Sequence, residues 1–349
     1  MNCRLKVYNA GDALRITRTV KMIYVFGCVS LFSVPVVGQP VNGITGKNDT
    51  SYSNYSAYLQ TKKEYPDIQL VPEFKSASVL EKRGLVYCMT GDRKLVLDAF
   101  YPSEKTKAAR TAIIIIHGGG WRTGNRTQHY PLAQRLADLG YVCLTPEYRL
   151  STEALFPAAV YDIKAAIRWV KKYAADYNID TAKIVVAGFS AGGELAAFMG
   201  TTGNMPLFEG TACAGGPGTN VGAVVDIDGT LSFVHPDSRE GDDSKRTSAA
   251  TAWFGYPKKE YGVLWEAASP LSYVGRHTPP TLFLNSKVAS MHAGREDYIK
   301  VLDEYHIYSE VNNFDGAPHS FCLFDPWFEP TVKYIDGFLK RVFHRGHSK

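Results

Sequence analysis

Three short stretches of the sequence carry side chains whose types and spacing suit nucleophilic chemistry. Gly188-Phe189-Ser190-Ala191-Gly192 lies between the apolar run Ile184 to Ala187 and the helix-forming Glu194 to Phe198. A serine on a sharp strand-to-helix turn is held exposed, and the turn needs small neighbours. The helix that follows offers backbone N–H groups to developing negative charge. Upstream, His117-Gly118-Gly119-Gly120-Trp121 follows the β-branched run Ile113 to Ile116, so backbone donors can approach the serine closely. Gly119, Gly120 and Ala191 are the candidates for an oxyanion hole, and His117 reads as a brace for the loop. Downstream, His319 sits in Gly316-Ala317-Pro318-His319-Ser320-Phe321, where a terminal loop can carry the base for Ser190.

A Ser-His pair also needs an acid to hold the imidazole, and here several candidates remain open. Asp226 and Asp228 end an apolar strand with two-residue spacing, so both side chains point to one face. Asp228 is nearer the strand tip, directly before Gly229, and is the preferred candidate. Asp226 would then brace the strand, while Glu296 and Asp297 open a helix whose positive end they suit. A dyad without an acid is the remaining option.

The elements that must position these groups follow from periodicity. Leu85 to Met89 and Leu95 to Tyr101 read as strands joined by the Thr90-Gly91-Asp92 turn. After Ile113 to Ile116, helical signals over Tyr130 to Leu139, Ala158 to Tyr173, Asp297 to Tyr305 and Pro330 to Phe343 alternate with strand signals. Those strands are Tyr141 to Thr145, Ile184 to Ala187, Gly222 to Ile227, Thr281 to Asn285 and Tyr308 to Asn313. Such alternation implies a mostly parallel central sheet flanked by helices on both faces. The catalytic domain is expected over residues 81–349, with an extended lead-in over 39–80 and an insertion at about 231–270 that walls the cleft.

With these residues in view, the chain resembles an α/β-hydrolase of the polysaccharide-directed esterases, the group of bacterial feruloyl esterase-like, acetylxylan esterase-like and pectin esterase-like proteins. The resemblance runs from about Val86 to Phe343. It rests on Leu97 to Pro102, the His117 to Trp121 loop, Tyr148-Arg149-Leu150, Phe156 to Ala159, Phe189 to Gly193, Ala268-Ser269-Pro270 and His319-Ser320-Phe321. It implies removal of acetyl, methyl or hydroxycinnamoyl esters from hemicellulose or pectin without a cofactor or metal. The chain departs from the resembled pattern at the acid, which normally follows the strand equivalent to Thr281 to Asn285. Here Ser286 to Met291 contains no carboxylate.

Substrate contacts are read from residue type alone. Trp121, Trp253, Phe254, Tyr256 and Trp265 suit a sugar or aryl platform, and equally a place in the core or the cleft wall. Arg122 and Arg295 suit a substrate carboxylate, as a uronate would present, or, as the plainer alternative, an ordinary surface or loop ion pair.

Composition narrows the function classes. With 45% hydrophobic and 21% charged residues in 349, the chain has ordinary globular composition. The first 38 residues hold five bases, one acid and an apolar run from Met22, which resembles a secretory signal ending near Gly38-Gln39. Pro35 and the short run argue against a membrane span, and Val25-Phe26-Gly27-Cys28 gives a weak lipoprotein-like alternative. Export is therefore expected, to the periplasm or the extracellular space, with no permanent membrane partner. Without that segment the net charge of +5 falls to about +1, and no basic block remains to track nucleic acid. Cys88, Cys143, Cys213 and Cys322 match no zinc spacing. Cys143 reads as a buried small hydrophobe, and one disulfide is optional.

Other classes fit less well. A peptidase of the same fold would use the same triad and usually adds a propeller or lid domain, for which the N-terminal region is short. An inactive carbohydrate-binding derivative would normally lose Ser190 or His319. A lipase would carry a long apolar lid where residues 236–245 are polar, and the glycine loop lacks dinucleotide spacing.

Overall fold

A run such as Ile113 to Ile116 has no polar face, so it demands apolar cover on both sides, and the chain supplies it with helices. The computed structural model describes residues 44–47 and 49–344; the segment read as a secretory signal lies outside the described residues. The described residues begin with α1 (Asn54–Thr61), β1 (Gln69–Leu70), β2 (Val79–Thr90), β3 (Arg93–Pro102) and β4 (Arg110–Ile116). They continue through α2 (Tyr130–Asp138), β5 (Val142–Pro146), α3 (Ala158–Lys172), β6 (Ile179–Phe189), α4 (Ala191–Thr201) and β7 (Ala223–Ile227). Then come α5 (Ala249–Phe254), α6 (Gly262–Ala267), β8 (Thr281–Asn285), α7 (Arg295–Glu304), β9 (Ser309–Asn313), β10 (Phe324–Asp325) and α8 (Phe328–His344).

The eight-stranded sheet has the order β2-β3-β5-β4-β6-β7-β8-β9. The β2/β3 and β3/β5 pairs are antiparallel and the others parallel. This is the α/β-hydrolase arrangement. Alternation along the strands divides the core: Ile114, Ile116 and Val186 face α3 and α4, whereas Ile113, Ile115, Val185 and Ala187 face α2 and α8. Parallel strands all end on one edge, so the tips of β4, β6, β7 and β8 bring their following loops together. That edge is where ligands bind in open α/β sheets.

The lead-in is more ordered than its composition suggests. Ser53 and Ser56 form reciprocal cap bonds that start α1. Ala57 and Ile68 are buried in the α2/α8 side of the core, and β1 pairs antiparallel with β10. The insertion carries an aromatic core of its own: Phe233, Trp253, Phe254 and Trp265 are buried and in mutual ring contact. Of the two roles open to Trp253, Phe254 and Trp265, these rings take the packing one: none presents a face to solvent as a sugar platform would need. A Cys88–Cys213 disulfide ties β2 to the loop before β7, while Cys143 and Cys322 are free and buried. Among the described residues, no helix is long and apolar enough to cross a membrane.

Candidate active site

Ser190 sits between β6 and α4 with φ 57 and ψ −120, a region that non-glycine residues rarely occupy. Holding it there costs about 1–3 kcal/mol, so the surroundings must enforce it. One restraint is the Ser190 N–H, which donates to Ile227 O at 2.8 Å. Another is close packing: a Cβ on Gly118 would lie 2.7 Å from Phe189 O and 3.2 Å from Ser190 Cβ, so only glycine lets the loop after β4 lie against the serine.

The imidazole of His319 reaches this serine from the loop after β9. Its Nε2 lies 2.9 Å from Ser190 Oγ and its Nδ1 lies 2.8 Å from Asp228 Oδ2. Asp228 is fully buried, and its other oxygen accepts the Ser286 N–H at 2.8 Å. The carboxylate thus bridges the tip of β7 to the chain leaving β8. Among the other acids weighed for this position, Asp226 accepts the Gly229 N–H at 2.7 Å and braces the turn below; burial pushes its pKa well up. Glu296 is paired with Arg295, and Asp297 approaches His235 instead of His319.

The glycine loop is fixed from behind. Gly118 N–H donates to Gln128 Oε1 at 2.7 Å, and Tyr148 donates its hydroxyl proton to His117 O at 3.0 Å. The His117 ring stacks on Tyr148 at 4.3 Å, and burial lowers its pKa to about 4, so it is a neutral brace near pH 7. Among the described residues, the N–H groups of Gly119 and Gly120 have no protein acceptor. Ala191, the first residue of α4, has none within its helix. Ala191 adjoins Ser190 in the chain, and Gly119 follows Gly118, which packs on the serine.

Of the possible substrate contacts, two take the packing or ion-pair role that their residue types equally allowed. Trp121 is buried: its ring stacks on Trp253 at 4.7 Å and its Nε1 donates to Glu194 Oε2 at 2.9 Å. It locks the glycine loop to α4 and the insertion instead of facing the cleft. Arg295 is already occupied. Its Nη1 donates to Asn285 Oδ1 at 2.6 Å, and its Nε and Nη2 donate to Glu296 Oε1. Arg122 is different, since only its Nε is engaged, by Asp49 Oδ2 at 2.9 Å, and a third of the side chain is exposed.

Some groups at the site left no local trace in the sequence. Glu240, from the insertion, is buried within electrostatic reach of His319: burial raises its pKa, and the charges of His319 and Lys258 oppose that rise. The segment from Asp49 to Tyr52 runs past both Arg122 and Ser320, and burial pushes the Tyr52 hydroxyl up to about 12. Among the described residues, no cluster of His, Cys, Asp and Glu has the make-up of a metal site.

The BD-FAE family profile matches residues 97–290, more than half of the chain. Esterase LipC of Mycobacterium tuberculosis is 29% identical over 275 residues, which cover 74% of this chain and 64% of LipC. Esterase LipQ of the same organism is 30% identical over 214 residues, covering 56% of this chain and 46% of LipQ. The chain thus spans less than two thirds of the length of these curated relatives. Among solved structures, a truncated form of carbohydrate esterase from gut microbiota superposes with a TM-score of 0.64 at 24% identity, covering 77% of this chain and 100% of that one, a likeness of fold.

Proposed function

Because the chain belongs to the BD-FAE family of α/β-hydrolase esterases, we propose that it is an exported serine carboxylesterase that removes acetyl, methyl or hydroxycinnamoyl groups from pectin or hemicellulose. The observation that carries this reading is the unbroken chain of hydrogen bonds from Asp228 through His319 to Ser190.

In the first half-reaction the Ser190 oxygen attacks the ester carbonyl carbon while His319 Nε2 takes its proton. Asp228 holds Nδ1 as the donor tautomer and stabilises the imidazolium that forms. The carbonyl oxygen becomes an oxyanion among the N–H groups of Gly119, Gly120 and Ala191, which need no reorganisation to receive it. His319 then gives its proton to the leaving alcohol oxygen, leaving an acyl-serine. In the second half-reaction His319 takes a proton from water, whose oxygen attacks the acyl carbon, and the carboxylic acid departs as Ser190 regains its proton.

The polysaccharide side of the reading rests on the sequence resemblance and on a cavity beside the glycine loop, lined by residues of the insertion and the lead-in. Export is supported by the Cys88–Cys213 disulfide, which is at home in an oxidising compartment. The test is Ser190→Ala, assayed on 4-nitrophenyl acetate and on acetylated xylan, feruloylated xylan and methylated pectin, with acetate, ferulate and methanol read separately. Loss of turnover by roughly 10³-fold or more in a folded variant is expected. Near-wild-type release by that variant would overturn the mechanism, and release of none of the three products by the wild type would overturn the substrate class.

A further inference from the structure

Beside the glycine loop lies a cavity of about 490 Å³, lined by Asp49, Ser51, Gly119, Arg122, Arg246, Thr247 and neighbouring alanines. Two close approaches tie it to the loop that packs on the serine. Gly119, one of its walls, is the neighbour of Gly118, whose added Cβ would lie 3.2 Å from Ser190 Cβ. Ala249, another wall, lies against Gly120, where an added Cβ would approach its methyl to 2.8 Å. A sugar unit adjoining one whose ester sits at Ser190 would therefore meet this cavity across the loop.

The charges of the lining are unbalanced. Arg122 spends only Nε on Asp49, so both terminal nitrogens are free of protein acceptors among the described residues. Asp49 itself is kept ionised: hydrogen bonds from Ser51 lower its pKa, with Arg122 helping. Arg246 is exposed and, among the described residues, pairs with no carboxylate. The nearby acid Asp243 has both oxygens engaged, accepting the Ser248 N–H at 2.6 Å and the Thr251 hydroxyl at 2.9 Å, bonds that anchor the segment bearing Arg246. Two guanidinium groups against one carboxylate leave a positive excess at the mouth of an otherwise polar cavity. Free guanidinium edges select planar carboxylates, which they bind with paired hydrogen bonds.

We propose that this cavity binds the carboxylate of a hexuronate unit next to the esterified sugar, so that the substrate is an acidic polysaccharide. The inference rests on the ester-hydrolase reading of Ser190 and narrows its substrate class. Arg122 and Arg246 are the specificity-determining residues of the subsite, and Ser51 and Thr247 supply hydroxyls for the sugar.

The test compares wild type, Arg246→Gln and Arg246→Glu as full chains on acetylated trigalacturonate and on 4-nitrophenyl acetate. The ratio of the two kcat/KM values is expected to fall roughly three- to tenfold in Arg246→Gln, further in Arg246→Glu, and to fall in the wild type as salt is raised. Calorimetric titration of Ser190→Ala should show trigalacturonate binding more tightly than neutral xylotriose. A ratio unmoved in both Arg246 variants, or equal affinity for the two oligosaccharides, overturns the subsite. Tighter binding of a sulfated trisaccharide than of trigalacturonate overturns the uronate assignment in favour of a sulfate. If Ser190→Ala still releases acetate, it is the ester-hydrolase reading that fails.

Discussion

Replacing Asp228 by asparagine tests the orienting acid with the least disturbance of shape. In the native site one carboxylate oxygen accepts the Ser286 N–H and the other accepts from His319 Nδ1, both at 2.8 Å. Asparagine has a single acceptor oxygen for these two donors. The Ser286 N–H is a backbone group that cannot turn away, so the amide oxygen stays there and the NH2 faces the histidine. Nδ1 must then become the acceptor, which moves the proton to Nε2 and points it at Ser190 Oγ. An imidazole in that tautomer cannot take the serine proton. The expected loss in kcat is roughly 10²–10⁴-fold, a range bounded by the same substitution in the serine-protease triad. At about 1.4 kcal/mol per decade this raises the barrier by about 3–6 kcal/mol. Stability should change little, because the buried N–H keeps its acceptor; Asp228→Ala would leave it unpaired at a cost of about 1–3 kcal/mol. The assay is kcat on 4-nitrophenyl acetate between pH 7 and 9, with the thermal midpoint measured in parallel. Turnover within about threefold of wild type in a folded Asp228→Asn protein would refute the orienting role.

Acid should destabilise the fold through His117 and His129, whose pKa values burial lowers to about 4 and about 3. Each imidazole is protonated more readily in the unfolded chain, so stability is present above pH 6.5 and drains as pH falls below it. By pH 5 each costs about 2 kcal/mol, set mainly by the unfolded value near 6.5. Urea titrations at pH 7 and pH 5 should show the fall, and His129→Phe should remove about half of it; an identical pH dependence in that variant counts against the assignment. Cys213→Ser should lower stability by about 2–5 kcal/mol in chemical denaturation, since the bridge closes a long loop, and an unchanged midpoint would show that the bridge constrains little.

What could be read from the sequence divides by the range of the forces involved. The doubly covered strand at Ile113 to Ile116 and the turn at Ser190 announce themselves locally, because burial on two faces and a sharp turn each dictate neighbouring residue types. Contacts made across the chain leave no such local mark. Arg295 reads as a carboxylate clamp until the parallel register of β8 and β9 puts Asn285 opposite Asn313, both within its reach. Trp121 reads as a platform until Glu194, far along the chain, accepts its N–H. The lead-in reads as loose because α1 buries only Ala57. What anchors it lies elsewhere: Asn54 Nδ2 donates to Gln128 O and the Tyr65 hydroxyl to Gly316 O, each at 2.8 Å. Arg246 and Glu240 were likewise invisible as site residues, since nothing near them in sequence says which face of the insertion meets the cleft.

The acid shows how a departure from a familiar pattern can leave the chemistry intact. Strands β7 and β8 are parallel neighbours, with Ile227 opposite Leu284, and adjacent strands lie only about 4.8 Å apart. A carboxylate at either tip can therefore lie near the same imidazole nitrogen without moving His319. Ser286, just past the end of β8, instead donates its backbone N–H to Asp228. The turn that makes this possible has its own cost, since Asp228 adopts φ 55. Its N–H is compensated by Leu284 O at 2.9 Å, and the following Gly229 donates to Asp226. Asp226 and Asp228 thus divide the work that their spacing left ambiguous: one secures the turn, and the other uses the turn to meet the histidine.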